Sequence, residues 1–431
     1  MDLTYKNHFK FGYNDQWFNF RETPFDVWKV KYGRCEREPL DFRNECVETT
    51  KLINENTDLP INILFSGGVD SEVVVRSFIE AGIKVTCIIC DMCGYNTHDI
   101  KYAISFCKQH NIPHKIIYLN IKKFWAEHLY DIAKRTDCVS PQFPAIMWMS
   151  DQVQGFNIIG VGECFLRQHY NWVMYEREKV ASLYKHYILT NKQGAPGFFQ
   201  YTPELMLSFL EHKRIKEITE SDTYPVKPKI YQDMWPDIEM RKKYNGFEKI
   251  HDICEIYREK LHMMIPGADE IVKTEYSHLI RSLAPIVVEE ISEDEIMKYQ
   301  FLYKSNGTSL FNTPFKDRTV SSRYFSARIR GKLAGLTSYD VLDNGQLYQH
   351  GALTVEKFRN MGVNNTTWKY KMNEIRKFAT DDTELIAVHP PWIEGACIMA
   401  EKLKRIRFKE TDQRPDGSPV HTCKFKELIH E

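Results

Sequence analysis

Ser66-Gly67-Gly68-Val69-Asp70-Ser71 is the stretch on which the reading of this chain turns. It follows the apolar run Pro60-Ile61-Asn62-Ile63-Leu64-Phe65, which predicts a buried parallel strand. It precedes Glu72-Val73-Val74-Val75-Arg76-Ser77-Phe78-Ile79, which predicts a helix ending at Gly82. Two glycines and two serines therefore fall where a strand becomes a helix. The first-turn amides of a helix have no internal partner, and the macrodipole adds partial positive charge there. Glycine lacks the Cβ that would hold a ligand off the backbone. Together these features make a site for phosphate oxygens. Ser66 and Ser71 add hydroxyl donors, and Asp70 can hold a divalent ion between phosphates. A tight turn with good helix caps would use the same residues; the position of all six between strand and helix favours phosphate. The spacing is neither Gly-x4-Gly-Lys-Ser/Thr nor Gly-x-Gly-x-x-Gly, so neither a Walker loop nor a dinucleotide fold is expected.

The hexapeptide resembles the Ser-Gly-Gly-x-Asp-Ser loop of the PP-loop ATP pyrophosphatases, an adenine nucleotide alpha hydrolase-like superfamily. It includes asparagine synthetase, GMP synthetase, NAD synthetase, argininosuccinate synthetase and tRNA-thiolating enzymes. The resemblance covers residues 40 to 170 in outline. It implies cleavage of ATP between the α and β phosphates and transfer of AMP to a carboxylate or amide oxygen. A nucleophile then displaces the AMP. The loop, Ser66 through Ser71, would hold the leaving pyrophosphate, with ATP and Mg²⁺ as cofactors and with Asp70 and Ser71 in catalysis.

The pattern continues beyond the loop. Lys84-Val85-Thr86-Cys87-Ile88-Ile89 predicts a second strand, and Thr97 a cap for a helix with apolar Ile100, Ala103, Ile104 and Cys107. Lys115-Ile116-Ile117-Tyr118-Leu119 predicts a third strand, 121–135 and 143–153 helices, and Phe156-Asn157-Ile158-Ile159-Gly160-Val161 a fourth strand. Strands alternating with helices predict a doubly wound parallel α/β sheet with ligands at the carboxyl ends of its strands. The fourth strand runs into Gly160-Val161-Gly162-Glu163-Cys164, where asparagine synthetase has a Gly-x-Gly-x-Asp-Glu segment. The part that is kept implies Gly162 at the pyrophosphate and Glu163 as a second acidic contact for the metal, beside Asp70; a plain strand-end turn is the alternative. Asp91 lies in Cys90-Asp91-Met92-Cys93, near where that family places adenine or substrate. The cysteine pair suits half of a metal site, an iron–sulfur site or a redox pair, as in the tRNA thiolases. A metal site needs three or four ligands, and only Cys164 offers a third, so two ordinary thiols is the plainer reading.

Length and composition set bounds. The chain has 431 residues, 43% apolar, with 58 basic and 58 acidic side chains. Zero net charge gives no general electrostatic case for nucleic acid or a membrane. No apolar run approaches spanning length, and Met1-Asp2-Leu3-Thr4-Tyr5-Lys6 lacks a signal peptide's apolar core. Eleven cysteines without regular spacing predict reduced thiols and a cytoplasmic location. Residues 1–38 read as an irregular aromatic segment with Trp17, Phe18, Phe20, Phe25 and Trp28. Residues 39–170 form the expected ATP-pyrophosphatase domain, and 171–290 a helical extension completing its site. That extension has a helix start at Thr202-Pro203-Glu204, a helical block from Pro236 through Met263, and a basic cluster of Lys227, Lys229, Arg241, Lys242 and Lys243. The cluster reads as a solvated face or as a cover for the polyphosphate, with Lys242 as an ATP contact.

After Pro285 the pattern changes, and 291–431 read as a third, α+β domain. Residues 321–340 and 346–355 predict antiparallel strands with Gly331-Lys332 as a turn. A helix over 366–378, a strand at Glu384-Leu385-Ile386-Ala387-Val388 and a helix over 394–404 before Phe408 follow. That order, with Arg359-Asn360-Met361-Gly362-Val363-Asn364, resembles the GCN5-related N-acetyltransferases, whose Arg-x-x-Gly-x-Gly/Ala loop offers amides to the pyrophosphate of acyl-CoA. The resemblance covers about 100 residues and implies acetyl-CoA contacts at Arg359, Gly362, Val363 and Asn364. Asn364 departs from the usual small residue, and a substrate-binding or docking domain on the same scaffold is the alternative.

The combined reading is an AMP-forming ligase, asparagine synthetase-like, that activates a carboxylate or amide oxygen for attack by an amine. Its acceptor is a small molecule or a macromolecule, a homodimer stays open, and an N-acyltransferase activity would make it bifunctional. A sulfur transferase using Cys90 and Cys93 and a non-catalytic nucleotide-binding protein are the two alternatives.

Overall fold

The computed structural model describes residues 8–168, 170–216, 222–223, 225–239, 247–305, 314–388, 409–414 and 417–428. The chain divides into two compact units, Met1–Ala284 and Pro285–Glu431.

The first unit opens with β1 (Phe9–Tyr13), β2 (Gln16–Trp17) and β3 (Trp28–Tyr32), an antiparallel sheet in the order β2-β1-β3. This corrects the expectation of an irregular segment. Phe9, Phe11 and Tyr13 alternate along β1 and are fully buried, a period-two signal that the density of aromatics hides. Helix α1 (Phe42–Glu55) begins where the Asp41 side chain accepts from the Asn44 amide.

Then come β4 (Ile61–Leu64), α2 (Val69–Glu80), β5 (Thr86–Asp91), α3 (Thr97–Gln109), β6 (His114–Tyr118), α4 (Ile121–Glu127), α5 (Leu129–Arg135), α6 (Phe143–Asp151) and β7 (Phe156–Ile159). Thr97 is not the cap of α3: Asn96 holds that position, and the Thr97 hydroxyl donates back to the Gly94 carbonyl. After β8 (Leu166–Gln168), β9 (Trp172–Arg177) and α7 (Glu178–Leu189), β10 (Gly194–Ala195) adds a fifth strand. The sheet is parallel throughout, in the order β10-β7-β4-β5-β6. The chain starts at the centre on β4, steps outward through β5 and β6, and returns to β7 on the other side. That reversal makes a switch point between the carboxyl ends of β4 and β7, where open parallel sheets form a crevice. Every residue of β4 and β7 is buried. Their only polar side chains, Asn62 and Asn157, sit in register and bond to each other at 2.9 Å, which satisfies both inside the core.

The remainder of the first unit was expected to be mostly helical. It does contain α8 (Pro203–Leu210), α9 (Lys213–Lys216), α10 (Lys227–Met234), α11 (His251–Met264) and α12 (Tyr276–Leu283). It also contains β11 (Ile271–Glu275), which pairs with β9 in a three-stranded antiparallel sheet, β11-β9-β8. These strands are short and mostly half-exposed, so neither a clean alternation nor an apolar run marks them. Thr202 caps α8 as predicted, its hydroxyl accepting from the Leu205 amide.

Beneath β1 lies a buried ionic network. Lys185 donates to Asp137 at 2.8 Å and to the Tyr13 hydroxyl at 2.5 Å, and Tyr13 donates to Glu178. Arg21 donates to the other Glu178 oxygen at 2.8 Å. Two buried cations here face the buried Glu178 and Asp137, with the partly exposed Glu270 3.6 Å from Arg21, and a buried charge is tolerated only when it is paired in this way.

The second unit holds β12 (Val287–Ile291), α13 (Glu293–Met297), α14 (Gln300–Ser305), β13 (Thr319–Ile329), β14 (Lys332–Leu342), β15 (Leu347–Thr354), α15 (Val363–Arg376), β16 (Glu384–Val388), β17 (Lys409–Gln413) and β18 (Pro419–Lys424). Its seven-stranded sheet has the order β12-β13-β14-β15-β16-β18-β17; only β15 and β16 run parallel, with α15 crossing between them. The β13–β14 turn is Arg330-Gly331, one residue earlier than predicted. Both have positive φ, 51° and 69°, as the tight turns that match strand twist require. Helix α15 starts three residues before its predicted start. The predicted helix 394–404 and Phe408 lie outside the described residues.

Candidate functional site

The loop after β4 has the geometry that its residue types predict. Gly67 has φ +75°, and a Cβ there would lie 2.6 Å from the Asp99 carbonyl oxygen. Only glycine turns this strand into this helix. Gly68 is the N-cap of α2 and offers no capping side chain, and Val69 is the first residue of the helix. Ser66 is exposed and its Oγ accepts from the Gly68 amide at 3.3 Å. Ser71 is buried, and its hydroxyl donates to the Gly68 carbonyl at 2.9 Å, which braces the loop. Opposite, a Cβ on Gly160 would come 3.0 Å from the Ser71 Cα, so glycine lets the end of β7 close on α2. Gly162 has φ +94° and lies against the Gln200 side chain.

The switch point brings Asp70 and Glu163 to one cation, and that cation is a lysine. Lys227 Nζ lies 2.9 Å from Asp70 Oδ1 and 2.5 Å from Glu163 Oε1. Tyr231, one turn along α10, donates to the same Asp70 oxygen at 2.9 Å. The sequence reading joined Asp70 and Glu163 as metal ligands and put Lys227 in a diffuse basic cluster. The structure puts Lys227 of that cluster at the loop; Arg241, Lys243 and Lys242, the predicted ATP contact, lie outside the described residues. Burial works against the charge of Lys227, but Glu163 and Asp70 outweigh it and hold the ammonium protonated well above its ordinary range. Burial, then Asp70 and Glu163, likewise keep the Tyr231 phenol protonated. Sequence reasoning missed Lys227 as a partner of these two carboxylates. Its placement as the first residue of α10, with Pro228 next, is a helix-start signal that a search for basic clusters does not weigh.

Behind Glu163 sits Glu176 on β9. It is buried, accepts from Tyr32 at 2.8 Å and from Gln200 at 2.6 Å, and has its pKa pushed up to about 7, by burial first and then by Glu163 against those two hydrogen bonds. A carboxyl that holds its proton more tightly folded than unfolded adds stability at low pH. That stability is fully present below about pH 4.5 and is lost as pH rises to about 7. Glu176→Gln should abolish this slope and raise the melting temperature at pH 8, read in a pH series of thermal melts; an unchanged slope refutes the assignment.

Asp91 ends β5, and its Oδ1 is buried without a hydrogen-bond partner, which leaves an acceptor at the carboxyl edge of the sheet. Burial, then Asp91 and Cys93, push the Cys90 thiol up to about 12, so it is not a thiolate at neutral pH. Cys93 is exposed at φ +51°. Among the described residues no group of three or more His, Cys, Asp or Glu side chains is placed to hold a metal.

In the second unit, β15 pairs with β16 from Leu347 to Gln349 among the described residues, and β15 runs on to Thr354. Gln349 is buried, and neither atom of its side-chain amide has a hydrogen-bond partner. Gly362 has φ +79° and begins the 14-residue α15 without a side-chain cap. Arg359 and Asn364 are exposed, and Asn364 Oδ1 accepts from Thr354 at 2.7 Å. Val363 is buried against Gly335, so only its amide is left for a ligand. Ser338, His350 and Asp340 also line up, with His350 Nδ1 3.2 Å from Ser338 Oγ and Nε2 2.9 Å from Asp340. Ser338 is fully buried and donates to the His350 carbonyl, so this trio ties β14 to β15 and offers no nucleophile.

No family model matches the chain, and no curated protein matches it. Solved structures that match about a third of it include acetyltransferases. The ribosomal-protein-S18-alanine N-acetyltransferase of Escherichia coli is 11% identical over 32% of this chain and 94% of its own, with TM-score 0.26. The IAA acetyltransferase of Bacillus cereus is 10% identical over 32% and 99%, with TM-score 0.26. A GNAT family acetyltransferase of Elizabethkingia anophelis, with acetyl-CoA bound, is 10% identical over 32% and 97%, with TM-score 0.23. No described helix is long and apolar enough to cross a membrane.

Proposed function

We propose that the first unit is an ATP-dependent, AMP-forming ligase that adenylates a carboxylate or amide oxygen for attack by an amine. The observation that carries this reading is the convergence of Asp70, Glu163 and Lys227 at the switch point, beside the uncapped start of α2. The first-turn amides of α2 and the Ser66 hydroxyl bind the β and γ phosphates. Lys227 offers these phosphates a positive charge, and Asp70 and Glu163 provide two hard oxygens of the kind that Mg²⁺ takes alongside phosphate. Bound there, Mg²⁺ supplies charge that stabilises pyrophosphate as it leaves. Asp91, at the neighbouring strand end, has a free acceptor for the adenosine or the acceptor substrate. Phosphorus NMR of a turnover mixture with candidate acceptors should give AMP and pyrophosphate; clean ADP and phosphate would sink the proposal. The protonated state of Cys90 does not favour sulfur transfer.

A second activity is favoured by the second unit's own residues. The unpartnered Gln349 amide and the uncapped α15 together suit an acyl-CoA, its pyrophosphate on the amides from Gly362 onward. Acetyl-CoA should raise the melting temperature by mass action. Arg359→Glu should remove that shift and leave an ATP-induced shift intact. Calorimetry showing no heat with acetyl-CoA or coenzyme A would leave only the scaffold.

A further inference from the structure

The ATP site carries its own cation. Asp70 and Glu163 belong to different loops, after β4 and β7, yet both direct an oxygen at the same Lys227 Nζ, at 2.9 and 2.5 Å. The lysine is 9% exposed, so its charge is met by these carboxylates and not by bulk water. Tyr231 adds a hydroxyl donor to Asp70, which fixes that carboxylate toward α10. Two carboxylates sharing one positive charge at the end of a parallel sheet form the donor set that a small divalent ion takes beside phosphate. An ammonium and a divalent ion cannot both stand between the same two oxygens.

We infer that Lys227 occupies the divalent-cation position of this site, and that loading is an exchange. The incoming metal–nucleotide gives its metal to Asp70 and Glu163, and Lys227 moves from them to the phosphate oxygens. This rests on the ATP reading above. The exchange keeps charge balanced at each stage: the carboxylates are always met by a cation, and the lysine always by an anion. It also makes metal binding depend on nucleotide, because a divalent ion arriving alone would have to expel a buried ammonium with no anion to receive it. Lys227 is thus a phosphate-contacting residue in the loaded state and a plug in the free one.

The test uses Mn²⁺ alone, titrated into the 431-residue chain without nucleotide and followed by loss of the free-ion electron paramagnetic resonance signal. Wild type should bind no Mn²⁺ at this site, and Lys227→Met should bind one equivalent at least about 100-fold more tightly, as removal of a like charge from a poorly solvated position predicts. Adding Asp70→Asn to Lys227→Met should remove the gain. Lys227→Arg, which keeps the charge, should behave as wild type. Should Lys227→Met be unstable, with two carboxylates facing each other, Mn²⁺ should restore its melting temperature and EDTA should not. The inference is overturned if Lys227→Met binds Mn²⁺ no better than wild type, if Mn²⁺ leaves an unstable variant unrescued, or if wild type binds Mn²⁺ as tightly without nucleotide. Failure of the ATP reading is told apart by nucleotide itself: no binding of ATP to wild type defeats that reading, whereas the gain of Mn²⁺ binding is scored without any nucleotide.

Discussion

Asp70→Asn should lower the rate of AMP and pyrophosphate formation by about 10²- to 10³-fold, the scale of losing one main electrostatic stabiliser. The carboxylate faces Lys227 at 2.9 Å and accepts from Tyr231 at 2.9 Å. Asparagine keeps an oxygen for Tyr231 but loses the charge that holds Lys227 and that, on the proposed reading, receives a metal once Lys227 has moved. The residue lies in the first turn of α2, where a neutral side chain of the same shape fits, so the fold should survive. Pyrophosphate release and a thermal melt measured together check this. A near-normal rate in a folded variant would remove Asp70 from the chemistry.

Glu178→Gln should cost the first unit about 3–5 kcal/mol of stability, the penalty of breaking a buried ion pair from one side. The Glu178 side chain is wholly buried and meets Arg21 at 2.8 Å, with Lys185 3.7 Å away. It also accepts from the Glu270 amide at 3.1 Å and from the Tyr13 hydroxyl. Glutamine leaves Lys185 with Asp137 and Arg21 with the partly exposed Glu270 at 3.6 Å, and turns an amide N–H toward donors that need an acceptor. Tyr13 is locked as a neutral phenol by burial and by the Glu178 and Asp137 charges, so it cannot supply the missing negative charge. Denaturant unfolding of wild type and variant reads the difference. A loss under about 1 kcal/mol would mean that the network is solvated.

The two predictions differ in how far the sequence leads to them. Asp70 stands out because its neighbours, glycines between an apolar run and a helical pattern, carry a local signal. Glu178 carries none: it opens α7 with no motif around it, and its partners come from β1, the loop between β2 and β3, and the residue before β11.

The sequence by itself determined the elements whose signal is local. The run Ile61–Leu64 with its six-residue loop, the alternation of strands and helices through Phe156, the capping of α8 by Thr202, and the strand–loop–helix around Gly362 all depend on neighbours within a few residues. The tertiary structure decided what those elements do together. It placed β7 beside β4, so that Glu163 meets Asp70, and packed α10 against α2, so that a lysine 64 residues beyond Glu163 stands between the two. It also paired β9 with β11, strands too short and too mixed in burial to mark themselves. Side-chain periodicity reports which face of an element is buried, not which distant element buries it. Whether two carboxylates hold a metal or a lysine is therefore settled by packing, because the Coulomb attraction that chooses between them acts only at the few ångströms that folding creates.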